Sequence, residues 1–149
     1  QLIRKGQEKL TPELDRIQLA ILKAFCQYRK PVFGICKGMQ LINIAFGGDM
    51  LRHLPTAVHH AYREKDQMHP ARNEVNSFLY EVYGSDMLVN SAHHQGVGIP
   101  GRGIRYVQYA PDGVVEGLQH EFLPVYGVQW HPERLERDIK KLKKLFKIT

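Results

Sequence analysis

Length, composition and charge together exclude several classes of protein for this chain. Its 149 residues give room for one core of ordinary size, so we expect residues 1–149 to form a single domain. Hydrophobic residues make up 43% and charged residues 24% of the chain, which is typical of globular proteins and excludes a disordered or low-complexity one. The net charge of +6 would suit nucleic acid, but no basic run is interleaved with aromatic residues, so no nucleic-acid partner is predicted.

The sequence also argues against a membrane or secreted protein. No apolar run is long enough to cross a bilayer, and Gln1–Leu10 carries charges where a signal peptide would be apolar. The two cysteines, Cys26 and Cys36, are too few for a disulfide framework and form no CxxC pair. We therefore expect a cytoplasmic protein.

The first half of the chain alternates helix and strand signals. Thr11-Pro12-Glu13 begins a predicted helix, with Thr11 as N-cap, and the helix ends near Arg29-Lys30. Its apolar residues recur at helical spacing and are expected to form a buried stripe of Leu14, Ile17, Ile21, Leu22 and Phe25. A buried strand over Pro31–Ile35 and a second helix, stopped by Gly47-Gly48, follow. This order predicts an α/β fold with a parallel sheet.

The second half contains four strand-like segments, and the turn signals between them predict additional antiparallel strands. These segments are Met87–Asn90, Ile104–Ala110, Val114–Gln119 and Val125–Trp130. The segment His53–Glu74 has no clear pattern, although Arg63–Gln67 suggests an exposed loop. A closing amphipathic helix is predicted, with its lysines in solvent. Its apolar face would be Leu135, Ile139, Leu142, Leu145 and Phe146, and its lysines are Lys140, Lys141, Lys143, Lys144 and Lys147.

The strongest chemical signal is Cys36, which stands where the predicted buried strand turns into a helix. Gly34 and Gly38 flank it at two residues on either side, the spacing of a nucleophile elbow in which small neighbours avoid collisions. The helix that follows directs its N–H groups and positive dipole end at the sulfur, so a lowered thiol pKa is expected. The Lys37 N–H could donate to an oxyanion, and Gln40 lies one helical turn onward.

A reactive thiol needs a base, and Trp130-His131-Pro132-Glu133 supplies one at the end of an apolar strand. His131 and Glu133 are two residues apart and can lie on the same side of the chain, so the carboxylate could orient the imidazole. An inert structural thiol is the alternative for Cys36 and the expectation for Cys26. The pairs His59-His60 and His93-His94 lack a carboxylate or cysteine at ligand spacing, so no metal site is predicted.

Four segments together resemble one known family. PVFGICKGMQLINIAFGG (Pro31–Gly48), VNSAHHQ (Val89–Gln95), APDGVVEG (Ala110–Gly117) and GVQWHPE (Gly127–Glu133) are similar to class I glutamine amidotransferase-like proteins. The second and third favour the gamma-glutamyl-gamma-aminobutyrate hydrolase branch. The resemblance implies a flavodoxin-like, mostly parallel sheet flanked by helices.

The resemblance also assigns roles to residues. Cys36 would be the nucleophile, His131 the general base and acid, and Glu133 its orienting partner. The residues implied to contact the glutamyl group are Gly34, Gln40, Ser91, His93, His94 and Gln95. The implied reaction is hydrolysis of a γ-glutamyl amide of a small amine through a Cys36 thioester, without a metal or organic cofactor.

Two alternatives and one departure from the family pattern remain at this stage. The chain could be a glutaminase subunit that delivers ammonia to a separate synthase, or a catalytically impaired binding module.

Family members begin with further strands and a glycine-rich loop that donates a second oxyanion N–H, and Gln1–Leu10 offers no counterpart. We therefore expect the N-terminal strands to be missing. The sequence leaves open the amine and whether the chain forms a homo-oligomer; a small γ-glutamyl substrate is the partner it predicts.

Overall fold

The computed structural model describes residues 12–55, 67–93 and 95–147. Four α-helices fall in these ranges: α1 (Pro12–Gln27), α2 (Lys37–Ala45), α3 (Phe78–Tyr83) and α4 (Glu136–Leu145). The strands are β1 (Val32–Ile35), β2 (Met50–Leu51), β3 (Gln67–Asn73), β4 (Asp86–Ser91), β5 (Gly96–Val97), β6 (Ile104–Tyr109), β7 (Val115–His120) and β8 (Val125–Val128). A 3₁₀ turn over Pro132–Arg134 joins β8 to α4. Within these ranges, no helix combines the length and the apolar character that a membrane crossing requires.

A six-stranded sheet in the order β1-β8-β7-β6-β3-β4 organises the fold, beside a small β2-β5 pair. β1 and β8 run parallel, with Ile35 opposite Val128, and the other four neighbouring pairs are antiparallel. The predicted α/β class with antiparallel strands in the C-terminal half is confirmed. The parallel part is smaller than expected in the described residues, because β6, β7 and β8 follow one another through turns too short to return a strand in parallel.

Two apolar clusters lie on opposite faces of this sheet. Val125 and Val128 of β8 belong to different clusters, as expected for side chains that alternate along a strand. Met39 and Ile42 of α2 fill one cluster, and Trp130 is the largest side chain of the other. α4 packs on the Trp130 face through Leu142, while its four lysines and Lys147, which follows the helix, are exposed, as predicted. The sheet is thus covered by helices on both faces.

The predicted buried stripe of α1 is wrong for four of its five residues. Leu22 is buried, but Leu14, Ile17, Ile21 and Phe25 are between 44% and 53% exposed. The reason is tertiary: β1 is hydrogen-bonded to β8 alone in the described part of the chain, so this face of α1 overhangs the open edge of the sheet. An apolar groove of about 330 Å³ runs between α1, α2 and β1, and a second of about 460 Å³ lies between β1 and α4.

Two glycines bring α2 unusually close to the sheet. Gly34 of β1 and Gly127 of β8 are paired in register. A Cβ on Gly34 would lie 2.6 Å from the Gly38 carbonyl carbon, and one on Gly127 would lie 2.8 Å from Met39 Cγ. The expected crowding is therefore present at Gly34. It is absent at Gly38, where an added Cβ meets no described atom within 4 Å, which corrects the prediction for that residue.

Four elements escaped prediction: α3, β3 and the two short strands β2 and β5. α3 is one short helix capped by Ser77, whose Oγ accepts from the Tyr80 N–H. β3 has a polar sequence with Pro70 inside it; the proline is tolerated because β3 pairs with β6 only at Arg72 and Asn73. Of the predicted Arg63–Gln67 loop, residues 63–66 lie outside the described residues, and Gln67 is the first residue of β3. The predicted N-cap Thr11 and residues 1–10 also lie outside the described residues.

Candidate active site

Cys36 occupies a strained turn at the carboxyl end of β1. Its φ of 53° lies in the left-handed region that side chains other than glycine rarely adopt, with ψ at −107°. The Cys36 N–H donates to the Val128 carbonyl at 2.8 Å, which ties the turn to the end of β8. α2 begins at the next residue, Lys37. Strand, strained residue and helix therefore follow in the order that the elbow pattern predicts.

The thiol is less acidic than the sequence led us to expect. Burial raises the pKa of Cys36, and Glu133 adds to the rise. Hydrogen bonds from the Lys37 N–H and from the Gln129 side chain lower it, as does Arg134, but they do not offset the loss of solvation. The prediction of a lowered thiol pKa is therefore wrong. A thiol of this kind needs a base to remove its proton.

The predicted contact between the imidazole and the carboxylate is present. His131 Nδ1 lies 2.5 Å from Glu133 Oε1, and because a carboxylate only accepts, Nδ1 carries the proton. The other ring nitrogen, Nε2, is then left as the basic atom. Asn90 fixes the backbone here: its Nδ2 donates to the His131 carbonyl at 3.0 Å, and its Oδ1 accepts from the His131 N–H at 3.1 Å.

The parallel pairing of β1 and β8 brings the two halves of the site to one edge of the sheet. Ile35 and Val128 are opposite each other, so Cys36 and His131 both follow the carboxyl ends of adjacent strands, the usual location of sites in α/β sheets. No hydrogen bond joins the Cys36 thiol to the His131 imidazole in the structure; the thiol is instead hydrogen-bonded by Gln129. The nucleophile–base contact therefore remains a prediction.

The residues predicted to contact substrate are mostly engaged by the protein itself. Gln40 is buried and donates to Gln129 Oε1 at 3.1 Å, and Ser91 is buried at the end of β4. The His93 ring faces inward: Nδ1 donates to the Gln95 carbonyl at 2.8 Å, and Nε2 lies 3.3 Å from Glu116 Oε1. His93 thus holds the loop through these contacts, and its expected contact with substrate stays a prediction.

The remaining three predicted substrate residues, Gly34, His94 and Gln95, differ in status. Gly34 lets α2 pack closely on β1, as described above, and its expected contact with substrate stays a prediction. His94 lies outside the described residues, and Gln95 is partly exposed beside it.

Three neighbours of the site were not predicted. Gln129 contacts the thiol, and Asn90 holds the His131 backbone. The buried Glu116 lies between His93 and His69, and its Oε1 is 3.5 Å from His69 Nε2. These three neighbours lie inside the segments GVQWHPE, VNSAHHQ and APDGVVEG that carry the family resemblance. The role of such an amide or carboxylate shows only in its contacts, which join segments far apart in the chain.

An ion pair links α1 to the elbow. Lys37 Nζ lies 2.6 Å from Asp15 Oδ1, and the Asp15 side chain is 1% exposed. Because Lys37 is the residue directly after Cys36, this pair anchors the first turn of α2 to α1. Within the described ranges, no group of three His, Cys, Asp or Glu side chains is arranged to hold a metal ion. The contact between Asp15 and Lys37 joins two helices, so we assign it a structural role.

Comparison with known proteins places these features in context. A sequence model of the Peptidase C26 family matches residues 3–133. The chain is 33% identical over 130 residues to the protein NtpR of Enterococcus hirae, an alignment that covers 80% of this chain and 54% of NtpR. It is also 33% identical over 139 residues to the gamma-glutamyl-gamma-aminobutyrate hydrolase PuuD of Escherichia coli K12, covering 82% of this chain and 53% of PuuD.

Structural comparison agrees at the level of the fold. A crystal structure of a glutamine amidotransferase from Thermotoga maritima matches with a TM-score of 0.70 at 17% identity, covering 96% of this chain and 57% of that one. The predicted resemblance to class I glutamine amidotransferase-like proteins is confirmed by these matches. The chain spans about half the length of the curated relatives it matches.

Proposed function

Because the chain belongs to the Peptidase C26 family, we propose that it is a cysteine-dependent hydrolase that cleaves the γ-amide of a small γ-glutamyl amine. One observation carries the proposal: a strained Cys36 at the end of β1 stands beside the strand whose end bears a hydrogen-bonded His131–Glu133 pair. Similarity to PuuD supports the choice of a γ-glutamyl amine, such as γ-glutamyl-GABA, as substrate. A cytoplasmic location is part of the proposal, because both cysteines carry free thiols.

The first half of the reaction forms a thioester. His131 Nε2 removes the thiol proton while Glu133 holds Nδ1–H, and Cys36 Sγ attacks the γ-carbonyl carbon. The Lys37 N–H, which already points at the sulfur, donates to the oxygen on which negative charge develops. Collapse of the intermediate breaks the C–N bond, and the imidazolium returns its proton to the departing amine.

The second half repeats the same proton transfers with water. His131 Nε2 takes a proton from a water molecule as its oxygen attacks the thioester carbonyl. The C–S bond then breaks, glutamate leaves, and the sulfur recovers its proton from the imidazolium. Burial of the thiol makes this base necessary, because the Cys36 pKa is raised and little thiolate is present before substrate binds.

Variants of the two cysteines test the proposal. The purified protein should release glutamate from γ-glutamyl-GABA, and Cys36→Ala should abolish that release. Cys26→Ala is the matched control, since Cys26 is also a free, partly buried thiol but lies in α1. His131→Ala should abolish most activity, whereas Glu133→Ala should retain more, because loss of orientation leaves the base in place.

Two outcomes would contradict the proposal. Equal glutamate release by Cys36→Ala and the parent protein would exclude a thioester at this residue. Release from free glutamine but not from γ-glutamyl-GABA would favour the glutaminase alternative.

A further inference from the structure

A buried amide touches the sulfur of Cys36. Gln129 follows β8, its side chain is fully buried, and its Nε2 lies 3.4 Å from Cys36 Sγ. An amide nitrogen can only donate, so the sulfur is the acceptor of this hydrogen bond. The Gln129 backbone N–H donates to the Glu116 carbonyl at 2.8 Å, which fixes where the side chain starts.

A second amide determines which end of Gln129 faces the sulfur. Gln40 Nε2 donates to Gln129 Oε1 at 3.1 Å, and Gln40 is itself buried on α2. If the Gln129 amide alone were reversed, its NH₂ would face the Gln40 donor and its oxygen would face the sulfur, so the Gln40 contact and the donor available to a Cys36 thiolate would both be lost. The chain Gln40–Gln129–Cys36 therefore has one polarity, which ends on the sulfur.

A donor in this position favours the ionised form of the sulfur. A thiol accepts a hydrogen bond weakly, whereas a thiolate accepts a charge-assisted bond about twice as strong as a neutral one. The charged groups that influence Cys36 are Glu133, which disfavours the thiolate, and Arg134, which favours it; both lie after β8. Gln129 and the Lys37 N–H are the two hydrogen-bond donors to the sulfur that oppose the cost of burial.

We propose that Gln129 is a catalytic residue that stabilises the Cys36 thiolate by donating a hydrogen bond to Sγ, and that Gln40 is a positioning residue that keeps the Gln129 amide in its donating orientation. This inference rests on the proposed function for the role of the thiolate. Gln129 acts twice in the cycle: when His131 removes the thiol proton, and when the sulfur leaves the second tetrahedral intermediate. Gln40 thereby acquires a role through the nucleophile, and its predicted contact with the glutamyl group stays a prediction.

The thiol pKa can be measured without any substrate. The rate of Cys36 alkylation by iodoacetamide is followed by mass spectrometry from pH 6 to 11 in a Cys26→Ala background, so that a single thiol reacts. Loss of one hydrogen bond to a charged atom should raise the measured pKa by about one to two. For Gln129→Met this means alkylation at pH 7 about ten- to a hundredfold slower. Gln40→Met should raise the pKa by less, because the donor remains but is no longer held.

Gln108 supplies a matched control. It is also a fully buried glutamine; its Nε2 donates to Asn73 Oδ1 and its Oε1 accepts from Trp130 Nε1, both at 2.7 Å. Gln108→Met should therefore leave the Cys36 pKa unchanged even if it lowers stability. Gln129→Glu is a second variant of nearly unchanged size that cannot donate when ionised, and it should also raise the pKa.

The outcomes separate this inference from the proposed function. An unchanged Cys36 pKa in Gln129→Met and Gln129→Glu would overturn the inference, and so would an equal rise in Gln108→Met. A raised pKa in both Gln129 variants, in a protein that releases no glutamate from γ-glutamyl-GABA, would support the hydrogen bond and contradict the proposed function alone.

Discussion

A single methyl group at position 34 should damage both the stability and the site. In Gly34→Ala the new Cβ would lie 2.6 Å from the Gly38 carbonyl carbon and 2.6 Å from Ile42 Cδ1. The Ile42 side chain can turn away, but the Gly38 carbonyl belongs to the backbone of α2 and cannot. Carbon atoms pack at about 3.5–4.0 Å, so α2 must move about 1 Å away from β1.

That displacement has two measurable costs. Overpacking of a tight contact typically lowers the free energy of unfolding by about 1–3 kcal/mol, and we expect about 2 kcal/mol here because the contact is with backbone. Because Lys37 begins α2, the movement also displaces the Lys37 N–H from its position as donor to the Cys36 sulfur. A misplacement of about 1 Å in an active site can lower the rate on the order of 100-fold, so glutamate release should fall by a similar factor.

Gly38→Ala is the control for this prediction. An alanine Cβ at position 38 meets no described atom within 4 Å, and alanine favours a helix over glycine by about 1 kcal/mol. Urea unfolding should show Gly34→Ala destabilised and Gly38→Ala unchanged or slightly stabilised. A Gly34→Ala protein with the stability and activity of the parent would refute the reasoning, as would equal destabilisation of the two variants.

Three further predictions concern charged and titrating groups. In urea unfolding, Lys37→Met should lower stability more than Asp15→Asn, by about 2 kcal/mol or more, because it leaves a buried carboxylate without its partner; equal losses would argue against the buried pair. Glu116→Ala should raise KM for γ-glutamyl-GABA more than it lowers kcat, since His93 loses an anchor of its loop; an unchanged KM would exclude that role. Burial raises the pKa of the Cys36 thiol, so between the unfolded and folded pKa values the folded state binds more protons than the unfolded state. The free energy of unfolding therefore falls as the pH rises through this range, and the decline should be shallower in Cys36→Ala. Parallel curves of stability against pH for the parent and the variant would contradict this prediction.

Much of the site could be predicted because its parts are local in sequence. The strand, the strained Cys36 and the helix after it depend on neighbouring residues, so the elbow spacing was enough to find them. The contact between His131 and Glu133 needs only two residues of separation and one turn of backbone. The contact between Gln129 and Cys36 was not found, because it joins residues that only the parallel pairing of β1 and β8 brings together.

α1 shows where sequence pattern failed and why. Its apolar residues have helical spacing, and the helix begins at Pro12 as predicted, but the pattern cannot tell whether another element covers the apolar face. The same limit explains β3, whose polar residues and Pro70 argue against a strand until β4 pairs along its length. Helix periodicity is a property of the segment, whereas burial is a property of its neighbours.

Local backbone preferences and side-chain chemistry were enough to predict the α/β class, the nucleophile elbow, and the pairing of a histidine with a carboxylate two residues later. The burial and raised pKa of the thiol, the hydrogen bond that Gln129 donates to it, and the contact of His93 with Glu116 became evident from the folded chain. These features depend on desolvation and on contacts between segments far apart in the chain, and folding alone sets both.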